Sequence, residues 1–353
     1  MRSHAPDFQL NRPGALIAAL PAVLGFVPEK SLVLVTIARG EMGCVLRMDL
    51  SDNVSRDEQG DTVEHLAEVA AAARPDSAVA VVVDADGARC PVCNDEYRRL
   101  TARLAEALLR WRVELIAVHV VDRIAAGGRW HCVDGCGAGG AVDDPAASPV
   151  AVAAVLDGRR LYARRSDLQQ VIAVEDRVRT AALADAITAA QSGQSPSRTD
   201  ADDRADIEAA LRAAKRVARG RRLTDAQLVR LAGALTRRTV RDTLYALAVG
   251  ALADQAEALW GELARTLPDP WRVEALVLLA FSAYARGDGP LAGVSLEAAL
   301  RSDGTHRMAS MLDTALQSGM RPEQIRELAA TGYRLARRLG VTLPPRRVFG
   351  RAG

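Results

Sequence analysis

Lysine is nearly missing from this chain: Lys30 and Lys215 stand alone, and arginine supplies the rest of the 46 basic residues. A bias of that size reads first as the codon usage of a GC-rich genome. Aromatic residues make up 4% of the chain while alanine is abundant, which favours closely packed helices with small side chains at their contacts. Charge of one sign is also lacking. The formal net charge is +2, so nothing in the overall balance argues for nucleic acid or an anionic membrane as partner. There is no run of about 20 apolar residues, which argues against a membrane span, and the first 14 residues lack the apolar centre of a signal peptide. The five cysteines are an odd number for a stapled fold. With no export signal they point to a reducing cytoplasm, where paired cysteines more often bind metal or do redox work. Complete catalytic signatures are missing too. The sequence has no G-x-x-x-x-G-K-[ST], no helix-opening G-x-G-x-x-G, no G-x-S-x-G and no H-E-x-x-H.

What is present is architecture. At 353 residues, 49% of them hydrophobic, the chain has the length of two globular domains. Residues 11–37 place Pro13 at a first helical position and Leu16, Ile17 and Leu20 on one face. Pro21, Gly25 and Pro28 then break the helix before the β-branched run 31–37. Residues 44–50 alternate apolar positions with Arg47 and Asp49, which predicts an antiparallel hairpin. A helix over 57–73, a buried strand over 78–83, a helix over 95–111 and a strand over 113–121 follow. Strands alternating with helices call for parallel pairing and covered faces. The expectation for residues 1–190 is therefore an α/β sandwich: a mixed sheet that opens with a hairpin and carries helices on its faces. Residues 122–148 read as a long glycine-rich surface loop, and Ser166 with Gln169 as a capping box opening one helix that runs to 190.

The polar stretch 191–204 has the composition of a linker, and 205–345 reads as all-α. Thr224 with Gln227 is a second capping box, and further helices are expected at 241–250, 254–267, 271–286, 290–301, 306–318 and 322–339. A weak repeat at an offset of about 36 residues, clearest at Ala280, Tyr284, Gly287-Asp288, Ala292 and Ala299, suggests tetratricopeptide-like helix pairs or an ordinary bundle.

The sharpest chemical signal is Cys90-Pro91-Val92-Cys93 with Cys132-Val133-Asp134-Gly135-Cys136. If the strands at 78 and 113 run parallel, the loops after them leave one sheet edge and the pairs can meet. Four thiolates would suit tetrahedral zinc, with His131 as a substitute ligand; a redox or regulatory disulfide and free thiols are the other readings. Asp84 and Asp86 end a strand where open sheets hold ligands, although a solvated loop start explains them more simply. His119 lies inside a strand pattern and reads as a core residue. Arg212, Lys215, Arg216, Arg219, Arg221 and Arg222 form a basic cluster just after Asp200, Asp202, Asp203 and Asp206. That reads as a solvated helix face in a charge-balanced segment rather than a nucleic-acid surface.

Leu20-Pro21, Leu24-Gly25-Phe26, Ser31-Leu32-Val33, Arg47 with Asp49-Leu50, Trp130 with Cys132 and Cys136, Gly158-Arg159 with Arg164 and Leu168, and Gly287-Asp288-Gly289 with Ala292 and Leu296 resemble the actinobacterial DUF4192 family. The resemblance spans most of the chain and transfers no catalytic residue. After Cys136 the chain has Gly137-Ala138-Gly139 in place of the double-cysteine-proline stretch of relatives, which weakens the case for a shared metal site. The resulting expectation is a cytoplasmic interaction or scaffold protein, whose C-terminal helices present a groove to a protein partner. The alternative is an enzyme or small-ligand binder at the sheet edge near Asp84 and the cysteines.

Overall fold

The computed structural model describes residues 12–50, 56–72, 74–156, 161–192 and 198–347. Contacts divide the chain into two compact units, mainly between Arg165 and Ser166.

The first unit contains, in order, α1 (Pro13–Leu24), β1 (Ser31–Ala38), β2 (Glu41–Asp49), α2 (Arg56–Ala71), β3 (Ser77–Val83), α3 (Pro91–Arg110), β4 (Glu114–Val121), β5 (Arg129–Cys132), β6 (Gly139–Ala141) and α4 (Pro149–Leu156). One six-stranded mixed sheet has the order β2-β1-β3-β4-β5-β6. The expected hairpin is β1–β2, and β3–β4 pair parallel. The β1–β3 pairing is antiparallel, which departs from the expectation of parallel pairing wherever helices intervene. The hairpin is the reason. It reverses the chain, so the α2 crossover makes β3 parallel to β2, and β1 lies between them against both.

Strand alternation then sends side chains to two faces. Leu32, Leu34, Ala80, Val82 and Val120 meet Val63, Leu66, Leu104 and Leu108 of α2 and α3. Val33, Val35, Val81, Val83 and Val121 meet Leu16, Ile17 and Leu20 of α1. With neighbours on both edges and both faces covered, Ser31 through Ile37 is buried throughout. At Thr36 the β1–β2 register shifts, and the hydroxyl accepts the Cys44 N–H (2.7 Å) while donating to the Cys44 carbonyl (3.1 Å). Pro21 does not end α1; it is carried inside the last turn, and Gly25 at φ +76° closes the helix by donating to the Pro21 carbonyl.

The glycine-rich stretch read as a surface loop holds the β5–β6 hairpin. Gly135 and Gly137 take positive φ in its turn, and a Cβ on Gly140 would lie 3.1 Å from the Trp130 indole nitrogen.

The second unit is helical: α5 (Arg165–Gln170), α6 (Arg177–Ser192), α7 (Asp200–Val217), α8 (Asp225–Leu235), α9 (Arg238–Leu244), α10 (Ala253–Thr266), α11 (Trp271–Arg286), α12 (Gly289–Ser302), α13 (Arg307–Gln317) and α14 (Pro322–Arg338). The single helix expected from 166 to 190 is two, because the chain turns between Gln170 and Arg177. Arg265 holds that turn by donating to the Val171 carbonyl and the Glu175 carboxylate. α6 packs on α8, so it belongs with the helices that follow it. Of the stretch read as a linker, α6 reaches Ser192 and α7 starts at Asp200; residues 193–197 lie outside the described residues. The helix expected at 241–250 begins inside α9 and continues from Leu244 as a 3-10 stretch, Tyr245–Val249.

α11 is apolar on all sides and packs against α8, α10, α12 and α14, which is why Val273 and every residue from Ala275 to Ala285 are buried. Trp260 of α10 and Phe281 of α11 are the largest fully enclosed side chains among the described residues, and Tyr245 lies tilted on Phe281 with ring centroids 4.8 Å apart.

Candidate functional site

The C-terminal ends of β3 and β4 form a polar edge. Asp84 follows Val83, and its amide donates to the Val121 carbonyl (3.0 Å), so the two loops leave side by side as the parallel pairing requires. The Asp84 carboxylate is buried and accepts the Tyr97 hydroxyl together with the amides of Asp86 (3.0 Å) and Gly87 (3.1 Å). Burial alone would raise its pKa, but these donors and the Lys30 ammonium outweigh burial and hold the carboxyl below its usual range. Gly87 is required by contact: a Cβ there would sit 1.9 Å from the Tyr97 hydroxyl oxygen.

Six residues after Asp84, Cys90 is the N-cap of α3. Its Sγ accepts the Cys93 N–H at 3.4 Å, and Pro91 opens the helix. The Cys93 thiol also donates to Cys90, followed in effect by the Cys93 amide, and this lowers the Cys90 pKa. Cys93 is pushed up to about 11 by the same bond and then by burial. Asn94 clasps the turn. Its Nδ2 donates to the carbonyls of Gly87, Ala88 and Cys90, and its Oδ1 lies 2.9 Å from His131 Nε2.

The second pair lies on β5 and in the turn after it. Cys132 is raised by burial, and Cys136 is lowered by the Ala138 amide and then by a hydrogen bond from Cys132. Cys132 stands opposite His119 in register, and His131 opposite Val120. Directly opposed residues share a face. His131 therefore reaches Asn94 on the α3 side, while Cys132 joins His119 and Trp130 on the α1 side. The structure brings the four cysteines together as two separate pairs. Among the described residues no three His, Cys, Asp or Glu side chains are grouped to hold a metal ion. His119 is buried with its ring edge-on to Trp130 at 4.9 Å, and its Nδ1 has no partner among the described residues.

The second unit holds a different feature. Arg212, Lys215, Arg216, Arg219, Arg221 and Arg230 line a cavity of about 440 Å³ between α7 and α8, with Ala209, Ala213, Gln227 and Leu231 completing it. The acidic residues upstream neutralise it only in part. Asp203 is taken by Arg237, Asp206 by Arg198 and Arg230, and Asp202 by the Thr199 capping box. Arg212 has only the distant and exposed Glu208 at 3.8 Å. Arg216 spends its Nε on the Arg222 carbonyl (2.9 Å), which folds the turn over the cavity. Lys215, Arg219 and Arg221 have no ion pair or side-chain hydrogen bond among the described residues. The cluster read as a balanced, solvated face lines a concave surface that is compensated only in part, by Asp206 on Arg230 and Glu208 beside Arg212.

The family model described as Domain of unknown function (DUF4192) matches residues 13–323. The chain belongs to the DUF4192 family. No curated protein and no solved structure matches it. Several residues that carried the resemblance to DUF4192 meet in space. The Arg47 guanidinium lies 5.5 Å over the Phe26 ring, donates through Nε to Ser31 Oγ (2.8 Å) and pairs with Asp49. Gly25 accepts the Tyr162 N–H, and Phe26 bridges to Tyr162. This cluster ties α1, β1 and β2 together beside the Asp84 edge, because Ser31 pairs with Val83. Sequence reasoning used these DUF4192 residues to recognise the family and missed that they touch; Gly158-Arg159 lie outside the described residues.

Proposed function

We propose that this DUF4192 chain is a ligand-binding regulatory module whose helical unit takes a compact, multiply charged phosphate anion in the cavity between α7 and α8. One observation carries the reading: six cationic side chains line a single cavity, and among the described residues the only carboxylates paired with any of them are Asp206, on Arg230, and Glu208, 3.8 Å from Arg212. Guanidinium groups bind phosphate oxygens in bidentate pairs, and the arginines here offer several such forks. The volume of about 440 Å³ falls within the range of small-ligand sites, roughly 300–1,000 Å³. Among the described residues no aromatic side chain lines it, so those residues give it none of the platforms on which single-stranded nucleic acid stacks its bases.

Calorimetric titration of the full chain with inorganic tripolyphosphate tests this. Saturable binding that weakens with added salt and falls at least tenfold in Arg219→Gln/Arg221→Gln is the expected result. Binding that is absent, or unchanged in the double variant, overturns the proposal, and a single-stranded oligonucleotide that binds tighter than tripolyphosphate transfers the cavity to nucleic acid.

A second reading, a protein-interaction module with tetratricopeptide-like helix pairs, draws support from the consecutive packing of α10 on α11 and α11 on α12. The turn between α11 and α12 is locked by Arg286, which pairs with both Glu257 and Asp288.

A further inference from the structure

We infer that Cys90 and Cys93 are a redox-active dithiol that exchanges with small-molecule disulfides. The inference rests on a different unit and different residues from the anion cavity, so either can fail alone. Two-residue spacing puts both sulfurs on the first turn of a 20-residue helix, with Cys90 at the N-cap where the unpaired N–H groups and the helix dipole favour a thiolate. The Cys93 N–H already points at Cys90 Sγ. Asn94 fixes the turn through three carbonyls, so the sulfurs are held in place before any reaction. Val92 between them is 68% exposed, which leaves the turn open to a small reagent. The helix position gives the order of reaction: Cys90, at the N-cap with its Sγ accepting the Cys93 N–H, attacks, and Cys93, three residues further on, resolves.

In the first step the Cys90 thiolate attacks one sulfur of RS–SR; a Cys90–SR bond forms and RS⁻ leaves. Cys93 then gives its proton to solvent and attacks Cys90 Sγ, forming the protein disulfide and releasing a second RS⁻, which solvent reprotonates. Two protein thiols are oxidised and one small-molecule disulfide is reduced to two thiols.

Cys44 serves as an internal control, since burial in β2 pushes its thiol up to about 11. In the reduced full chain at neutral pH, Cys90 is expected to alkylate with iodoacetamide at least tenfold faster than Cys44. Treatment with oxidised glutathione should give a Cys90–Cys93 disulfide by peptide mass mapping, and Cys93→Ser should trap the glutathione adduct on Cys90. A Cys132–Cys136 disulfide formed in its place overturns the inference, as does a Cys90 that alkylates no faster than Cys44. Bound zinc that shields Cys90 and Cys93 from alkylation overturns it in favour of a metal role. The wild-type mapping and rate measurements need no variant, so a misfolded Cys93→Ser leaves the test intact.

Discussion

Tyr97 donates its hydroxyl to Asp84 from the second turn of α3, joining that helix to the end of β3 where the loop toward Cys90 begins. The phenol is held protonated by burial and by that carboxylate, so it is a donor at any working pH. Tyr97→Phe should cost about 2 kcal/mol at neutral pH, the scale of a hydrogen bond to a charged acceptor. The sign with pH follows from Asp84. Its folded pKa is depressed, so its stabilisation is present above the unfolded value of about 3.9 and is lost as pH falls through the folded value. Urea midpoints for wild type and Tyr97→Phe should therefore converge on acidification; a gap that stays constant to the acid limit rejects the assignment.

Asp206 serves two arginines at once. It is buried, pairs with Arg198 and accepts Arg230 Nε at 3.0 Å. Asp206→Asn should lower stability by about 1–3 kcal/mol, because a buried arrangement loses its charge partner while Arg230 can still reach water. The same change frees Arg230 to add its charge to the cavity it lines. Tripolyphosphate should then bind roughly twofold to fivefold tighter, and a less stable protein that binds more strongly is an outcome few other substitutions would give.

Gly140→Ala tests the β5–β6 hairpin. The added Cβ would meet the Trp130 ring at 3.1–3.4 Å and must displace it, at a cost of about 1–3 kcal/mol. Trp130 emission should shift as the indole moves, and the heat-denaturation midpoint should drop with it.

In the second unit Phe281→Ala should cost about 3–5 kcal/mol, since the ring is fully enclosed and packs on Tyr245. Phe281→Leu should recover more than half of that loss in denaturant titrations, because most of the buried apolar volume is kept.

The hairpin β1–β2, strands β3 and β4 and most C-terminal helices could be read because each carries a full period of apolar positions. β5 and β6 could not: four residues, Arg129-Trp130-His131-Cys132, and three that are Gly139-Gly140-Ala141 hold too little pattern to register as strands. Missing β5 also hid that His131 and Cys132, as consecutive residues of a strand, face opposite ways. The break between α5 and α6 went unseen because no glycine or proline interrupts residues 165–192. The cavity was misjudged for another reason. Counting Asp203 and Asp206 against the arginines just after them treats neighbours in sequence as partners, whereas Asp203 turns to Arg237 and Asp206 to Arg198 and Arg230, of which Arg230 alone lines the cavity.

The outer strands of the sheet have a bearing on how the protein behaves at high concentration. A long, flat, apolar edge strand is a template for another chain's backbone. Here one edge is β6, with three residues, and the other is β2, whose register against β1 shifts near Thr36 and which carries Glu41, Arg47 and Asp49. Neither offers a run of regular, uncharged pairing sites. The strongly β-forming sequences, SLVLVTI and AVAVVV, are kept in the middle of the sheet with strands bonded on both sides, and the edges left to an incoming chain are the short β6 and the irregular, charge-bearing β2, both poor templates for sheet extension.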